Sequence, residues 1–385
     1  MTANPMTSSP PGEALRVQGL SKRFRRNQAL DGVDFAVPQA SLTVLLGAAG
    51  AGKTTTLRLI AGLDQPDAGQ VLLGGADAHR LEPRERNVAM IFDNLALYPD
   101  KTAFDNIASP LAIRRVPAAE IEVRVKAMAA TLRISHLLGR LPKTMSGGER
   151  QRVALGRALV HKPGVCLLDE PLSSLDAMLR IELRAELRRL QRDLGYTFVL
   201  ATPDFAEAMA VADSVVMLRA GRVVQCCDAQ TLFDAPADRE IARFVGAPEI
   251  NLLPAVLDDG AAAACIGVAG ARLPAPPELL RALAAGPREF DLGVRPEYLR
   301  LADVGRGSVD AALLDVEPLG LKSTLTVRNE KAEFRLVVDA HVANRLVPGR
   351  NLGIDFAAAP LLAFDRDSGR RLQADNRHMP CKEES

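Results

Sequence analysis

Between Leu15 and about Val245, short unbroken apolar runs alternate with stretches in which apolar residues recur every three or four positions. That alternation predicts strands and helices in turn, an α/β layered domain. "SLTVLLG" (41–47) and "GVCLLDE" (164–170) read as strands buried on both faces of a parallel sheet. "TTLRLIAGL" (55–63) follows the first of them as a helix. Leucines at 179, 183, 187, 190 and 194 make an amphipathic helix, and the arginines at 180, 184, 188 and 192 form a stripe, read as a solvated face with some glutamate pairing. "FVLATPDFAEAM" (198–209) predicts an apolar strand and then a helix with Pro203 in its first turn, capped by Asp204 with Glu207. After Val245 the texture changes. Residues 258–287 are dominated by Ala, Gly and Pro, while "STLTVRN", "AEFRLVVDA" and "NLGIDF" are short and β-like. A small all-β module over 246–385 accounts for this pattern.

A chain of 385 residues favours two domains. Hydrophobic content of 48% with 25% charged residues allows a sizeable core. Lys+Arg 48 against Asp+Glu 47 leaves no basic footprint, and aromatics at 4% without tryptophan leave no base-stacking platform, so nucleic acid is not an expected partner. The five cysteines (166, 226, 227, 265, 381) show no CxxC spacing and read as free thiols of a reducing compartment. Residues 1–14 lack the apolar core of a secretory signal and read as a disordered tail. The longest uncharged run, Phe35–Gly52, carries Pro38, Gln39 and three glycines and cannot serve as a membrane helix, so any membrane attachment would go through a partner.

The candidate chemistry starts at "GAAGAGKTT", which fits G-x-x-x-x-G-K-[ST] between a predicted strand and a predicted helix. Gly47, Ala48, Ala49, Gly50, Ala51 and Gly52 form a backbone cradle whose N–H groups can face phosphate oxygens. Lys53 reaches the outer phosphates, the Thr54 hydroxyl can ligate Mg²⁺, and Thr55 continues into a helix whose N-terminus attracts anions. In "VCLLDEP" Asp169 ends a buried strand, where it can hold a metal-bound water. Glu170 is placed to orient or deprotonate an attacking water. "MSGGERQRVALGRALVHKP" opens with Ser146 and Glu149 spaced as a capping box, but Gly147 and Gly148 are poor helix formers that suit close approach to an anion.

On these residues the chain resembles the ATP-binding cassette ATPases, whose signature the Ser146 segment matches in order and spacing. "SSLD" ending at Asp176 resembles their D-loop, and Phe24 in "LSKRF" sits where an aromatic stacks on adenine. "FVGAPEINLLPA", "LGVRPEYLRL", "VEPLG" and "LLAFDRDSGRRL" look like the β-rich regulatory domain of carbohydrate-uptake subunits of the maltose type. The resemblance implies a P-loop NTPase with a RecA-like core over 15–245, a helical subdomain at about 88–160, and an OB-like regulatory domain over 246–385. It also implies ATP and Mg²⁺ bound between two subunits arranged head to tail. Its further implications are membrane permease subunits, a periplasmic or lipid-anchored solute-binding protein, and a place at the cytoplasmic face of the inner membrane.

Two positions depart from the family. Asp93 replaces a glutamine expected to touch Mg²⁺ and the attacking water; it can still ligate a hard cation, so Asp93 stands with Thr54 and Asp169 as a metal ligand and with Glu170 as a catalytic candidate. Pro203 replaces a histidine that contacts the γ-phosphate, and proline offers no donor. The expectation is a weakened site in a heterodimer, where the intact Ser146–Glu149 segment completes a competent site on a second ATPase subunit. The alternatives are a homodimer that tolerates Pro203, a nucleotide-binding regulatory subunit with little hydrolysis, and a non-transport cassette protein.

Overall fold

The computed structural model describes residues 12–173, 175–258, 264–283, 286–356 and 359–373. They fall into two compact units, one running to Gln230 and the other starting at Thr231. Strand β1 (Glu13–Phe24) already includes Glu13 and Ala14, which the sequence reading gave to a tail. Ala14 is buried because β1 pairs along β2 (Asn27–Pro38). Residues 1–11 of the expected tail, and Cys381, lie outside the described residues.

The strands that position the site are β3 (Leu42–Leu46), β6 (Val88–Ile91), β7 (Val165–Asp169), β8 (Phe198–Thr202), β9 (Ser214–Arg219) and β10 (Arg222–Cys227). They form one sheet in the order β10-β9-β3-β8-β7-β6, in which β9, β3, β8, β7 and β6 run parallel. Every residue of β3, β7 and β8 is buried. Strands covered on both faces need unbroken apolar runs, and "LTVLL", "VCLLD" and "FVLAT" supply them. In register, Leu46 lies beside Thr202 and Asp169 beside Ala201. The carboxyl ends of three adjacent strands therefore open at one edge, where parallel sheets place ligands.

Helix α1 (Lys53–Ala61) follows β3, and α2 (Ala103–Ile113), α3 (Ala118–Thr131) and α4 (Gly147–Leu159) form the helical part. The sequence reading began that part at 88, but Val88–Ile91 is β6, paired with β7 in the parallel sheet. Helix α4 lies close on α2, since a Cβ on Gly156 would stand 3.1 Å from Ile107. Helix α5 (Ala177–Leu194) buries Leu183, Leu187 and Leu190 as its period requires, but Leu194 is exposed. Its arginine stripe turns partly onto the backbone: Arg180 donates to the Leu175 carbonyl and Arg184 to that of Arg180. Arg188 pairs with Asp213 at 2.6 Å.

His161, just beyond α4, has both ring nitrogens buried without a hydrogen-bond partner. Burial, with Arg114 adding repulsion, pulls its pKa from 6.5 down to about 4. Below pH 6.5 the unfolded chain takes up a proton at this residue that the folded chain refuses, so stability is lost as pH falls from 6.5 towards 4. Allowing for solvent screening, the loss between pH 7 and 5 is on the order of 1–2 kcal/mol. His161→Leu is expected to lose less stability than the wild type over that interval, read as the shift in urea midpoint; equal shifts would contradict it.

The second unit is β-rich, as the texture after Val245 predicts. Strands β11 (Asn251–Asp258), β12 (Cys265–Val268), β13 (Ala271–Pro274), β14 (Glu289–Val294) and β20 (Leu361–Phe364) make one antiparallel sheet. Strands β15 (Arg300–Ala302), β16 (Val309–Leu319), β17 (Lys322–Arg328), β18 (Glu333–Asp339) and β19 (Asn351–Asp355) make another. Their inward residues, among them Phe290, Leu292, Leu325 and Phe334, share one core. Short helices interrupt the all-β expectation, including α9 (Pro277–Leu283) inside the Ala/Gly/Pro-rich stretch. A buried cation locks part of the unit: Arg295 donates to the carbonyls of Ala242, Val245 and Phe233 and stacks 3.9 Å from the Phe233 ring. Burial lowers its pKa to about 10.

Candidate nucleotide site

The loop Gly47–Gly52 joins β3 to α1. A Cβ on Gly47 would stand 2.3 Å from the Leu218 carbonyl oxygen, so the loop passes too close to β9 for a side chain there. Gly52 holds φ +106 at the start of α1, a left-handed conformation that glycine adopts without strain. No side chain caps α1, which leaves its first N–H groups facing outward for an anion. Lys53 is buried and donates to the carbonyls of Gly47 (2.8 Å) and Ala48 (3.1 Å). Its ammonium lies 3.7 Å from the Glu170 carboxylate.

Thr54 donates its hydroxyl to Asp169 at 3.0 Å across the gap between α1 and β7. Asp169 is buried, and burial raises its pKa; the Thr54 bond opposes that rise, and the neighbouring Glu170 and Asp93 charges add to it. Asp93, exposed beyond β6, is therefore close enough to act on Asp169. Glu170 follows with φ +45, rare for a residue with a side chain, and its N–H donates to the Ala201 carbonyl at 3.0 Å. Strain of this kind fixes the direction of the carboxylate. Lys53, Thr54, Asp169 and Glu170 thus converge, while the Asp93 carboxylate accepts from the Asn94 N–H at 2.8 Å and reaches Asp169 through its charge alone. The oxygen-only pair of Thr54 and Asp169 suits a hard cation. Among the described residues no three His, Cys, Asp or Glu side chains form a metal cage, so Mg²⁺ here would draw further ligands from phosphate and water.

The other predicted residues stand at the ends of other elements. Phe24 ends β1 with its ring 44% exposed and Lys22 5.3 Å above it, open to a flat partner. Ser146 caps α4, accepting from the Glu149 N–H at 3.2 Å while Glu149 accepts from the Ser146 N–H at 2.7 Å. That bond holds the Glu149 carboxyl below its usual pKa. Gly147 would tolerate a Cβ, whereas at Gly148 one would stand 2.8 Å from Leu179. The Leu179 methyl would have to move to admit a side chain at Gly148. Asp176 caps α5 through the Leu179 N–H at 2.9 Å.

Pro203 departs from its expected place. Helix α6 (Phe205–Val211) is capped by Asp204, so Pro203 lies outside the first turn. Glu207 does not close a capping box. It is buried, its pKa raised by that burial, and it accepts from the Thr202 hydroxyl at 2.6 Å. The burial draws it inward, away from the helix start. Pro203 itself is exposed at the end of β8, between the strand that leads into Gly47 and the strand that ends at Asp169.

A phosphate cradle, a buried lysine and a paired threonine and aspartate at one sheet edge define a P-loop nucleoside triphosphatase. The family model for ABC transporters matches residues 30–173, and that for the TOBE domain matches residues 292–364. The chain belongs to the ATP-binding proteins of ABC importers and is an ATPase of that family. It is 39% identical to the sn-glycerol-3-phosphate import ATP-binding protein UgpC of Cereibacter sphaeroides, over 93% of this chain and 99% of that one. It is 37% identical to the trehalose/maltose import ATP-binding protein MalK of Thermococcus litoralis, again over 93% and 99%. Among solved structures, a Clostridium perfringens component of the ABC transporter complex cbiONQ superposes with a TM-score of 0.55 at 26% identity, covering 58% of this chain and 92% of that one. No helix of the described residues is long and apolar enough to cross a membrane.

Proposed function

We propose that this chain binds Mg·ATP at the Gly47–Thr55 loop and energises uptake of a carbohydrate-like solute (a sugar, polyol or glycerol phosphate). Uptake would run through membrane permease subunits fed by a solute-binding protein. The chain sits peripherally at the cytoplasmic face of the inner membrane, its ATPase domain starting with β1 at Glu13 and its β-rich regulatory domain following it. Lys53 neutralises the outer phosphates, Thr54, Asp93 and Asp169 hold the metal, and Glu170 accepts the proton of the attacking water. Phe24 stacks on the base. When bound, Mg²⁺ supplies charge neutralisation across the phosphates. Ser146, Gly147, Gly148 and Glu149, together with Asp176, face the nucleotide of a second ATPase subunit.

One observation carries the finer reading: Pro203 stands exposed and without a donor at the end of β8, beside an intact Lys53–Thr54–Asp169–Glu170 cluster. The cluster supports binding and slow hydrolysis. The missing donor supports a heterodimer in which the faster site belongs to the partner and is completed by this chain's Ser146 segment. Turnover should be measured for the purified chain alone and with a second cassette subunit added. The expected result is slow turnover alone and a rise on mixing, with Ser146→Arg abolishing the rise. Vigorous turnover by the chain alone would overturn the heterodimer reading and favour a homodimer.

A further inference from the structure

Asp93 stands on a turn whose backbone is unusual for its residues. The residues after it, Leu95 (φ +60) and Ala96 (φ +44), are both left-handed, and neither is the glycine or asparagine that adopts this conformation readily. Two such residues in succession persist only when the surroundings impose them. Within the turn, the Leu95 N–H donates to the Phe92 carbonyl at 2.9 Å and that of Ala96 to the Asn94 carbonyl at 2.7 Å; from outside it, one side chain grips both left-handed residues. Arg157, in the last turn of α4, donates through Nη1 to the Ala96 carbonyl at 2.7 Å and through Nη2 to the Leu95 carbonyl at 2.8 Å.

Its guanidinium carbon also lies 5.6 Å from the Tyr98 ring centroid. Tyr98 is in turn pinned by the side-chain amide of Asn106 of α2, which accepts from the Tyr98 N–H at 2.9 Å and donates to its carbonyl at 3.1 Å. No carboxylate pairs with Arg157 among the described residues, and burial lowers its pKa, so a desolvated charge is committed to two carbonyls. Such bonds are stronger than neutral ones, and only the forked, planar group reaches both oxygens at once.

We propose that Arg157 is a positioning residue that ties the turn bearing Asp93 to the helix headed by Ser146. Helix α4 is a stiff rod of 13 residues, with Ser146 at one end and Arg157 near the other. A displacement of the Ser146 end is transmitted along it to the turn, and so to the Asp93 carboxylate. The inference rests on the proposed role of Asp93 at the metal and adds the means by which that role follows the state of α4.

The test uses the full chain, with binding of a fluorescent ATP analogue followed in EDTA and across a Mg²⁺ titration. Asp93→Ala tests the parent reading, and Arg157→Ala and Arg157→Lys test the clamp. Arg157→Ala is expected to raise the Mg²⁺ concentration for half-maximal binding about tenfold, which corresponds to about 1.4 kcal/mol. Metal-free affinity should stay within about twofold, because the phosphate loop is untouched. Lysine replaces one of the two bonds and should fall between. Ala96→Gly relieves the backbone strain and should recover part of the Arg157→Lys loss; this pair serves if the alanine variant does not fold.

If Asp93→Ala shifts the Mg²⁺ dependence and the Arg157 variants do not, the clamp is wrong. If Asp93→Ala leaves it unchanged, the metal role of Asp93 fails and the clamp's purpose with it. Equal losses with and without Mg²⁺ would mark Arg157 as a folding residue alone and also overturn the proposal.

Discussion

Pro203→His is expected to raise ATP turnover by the isolated chain by on the order of 10²–10⁴-fold, the usual worth of one positioned proton-handling or orienting group. The core of the site is in place: Lys53 is held by two loop carbonyls, Thr54 is bonded to Asp169, and the Glu170 N–H is bonded to Ala201. Position 203 follows Thr202, which lies in register beside Leu46. A donor there would stand between the strand leading into the loop and the strand ending in Asp169. The substitution is structurally mild. Pro203 is exposed and precedes the helix cap, so the cost is chiefly the added freedom of the unfolded chain, about 0.4–1 kcal/mol.

Two controls separate chemistry from backbone effects. Pro203→Ala should leave turnover near the wild-type value. The histidine variant should also acquire a pH dependence that the wild type lacks, centred near the ordinary imidazole pKa of about 6.5. If alanine accelerates the reaction as much as histidine does, the missing donor is not what limits this site.

Glu170→Gln in the Pro203→His background is expected to remove the gain, lowering turnover again by about 10²–10⁴-fold while ATP stays bound. The amide is nearly the same shape but accepts no proton. Its second effect is electrostatic and opposite in sign. In the free chain the Glu170 carboxylate lies 3.7 Å from the Lys53 ammonium and adds to the charge that raises the Asp169 pKa. Neutralising it frees Lys53 for phosphate and lets Asp169 ionise more readily, so nucleotide affinity should hold or increase. Equilibrium binding and phosphate release, measured on the same preparation, read the two effects separately. Retained turnover would show that Glu170 is not the base, and lost binding that its main role is structural.

The most legible parts of this protein were those in which one local segment carries its own reason. "GAAGAGKTT" between an apolar run and a helix announced a phosphate cradle, and Lys53, Thr54, Asp169 and Glu170 do converge at one sheet edge. Ser146 and Glu149, three residues apart, close the capping box that their spacing predicts. Errors arose where distant packing overrides a local preference. Glu207 was read as a cap, but burial turns it to the Thr202 hydroxyl and leaves capping to Asp204. Val88–Ile91 was assigned to the helical part because four residues carry too little period to reveal a partner strand in β7.

Arg157 marks the boundary most clearly. Nothing in "ALGRALV" distinguishes it from the other arginines of its helix, and nothing in "FDNLALYP" reveals that Leu95 and Ala96 are left-handed. The α/β layering, the phosphate loop, the acids at the end of the second buried strand and the β-rich unit were legible along the chain, because short-range periodicity and fixed spacings encode them. What came from the folded chain alone is that the Asp93 charge reaches Asp169, that Glu170 takes a left-handed backbone, and that one arginine joins the turn after Asp93 to α4. Those facts depend on burial and on contacts between residues tens of positions apart, and no local pattern records them.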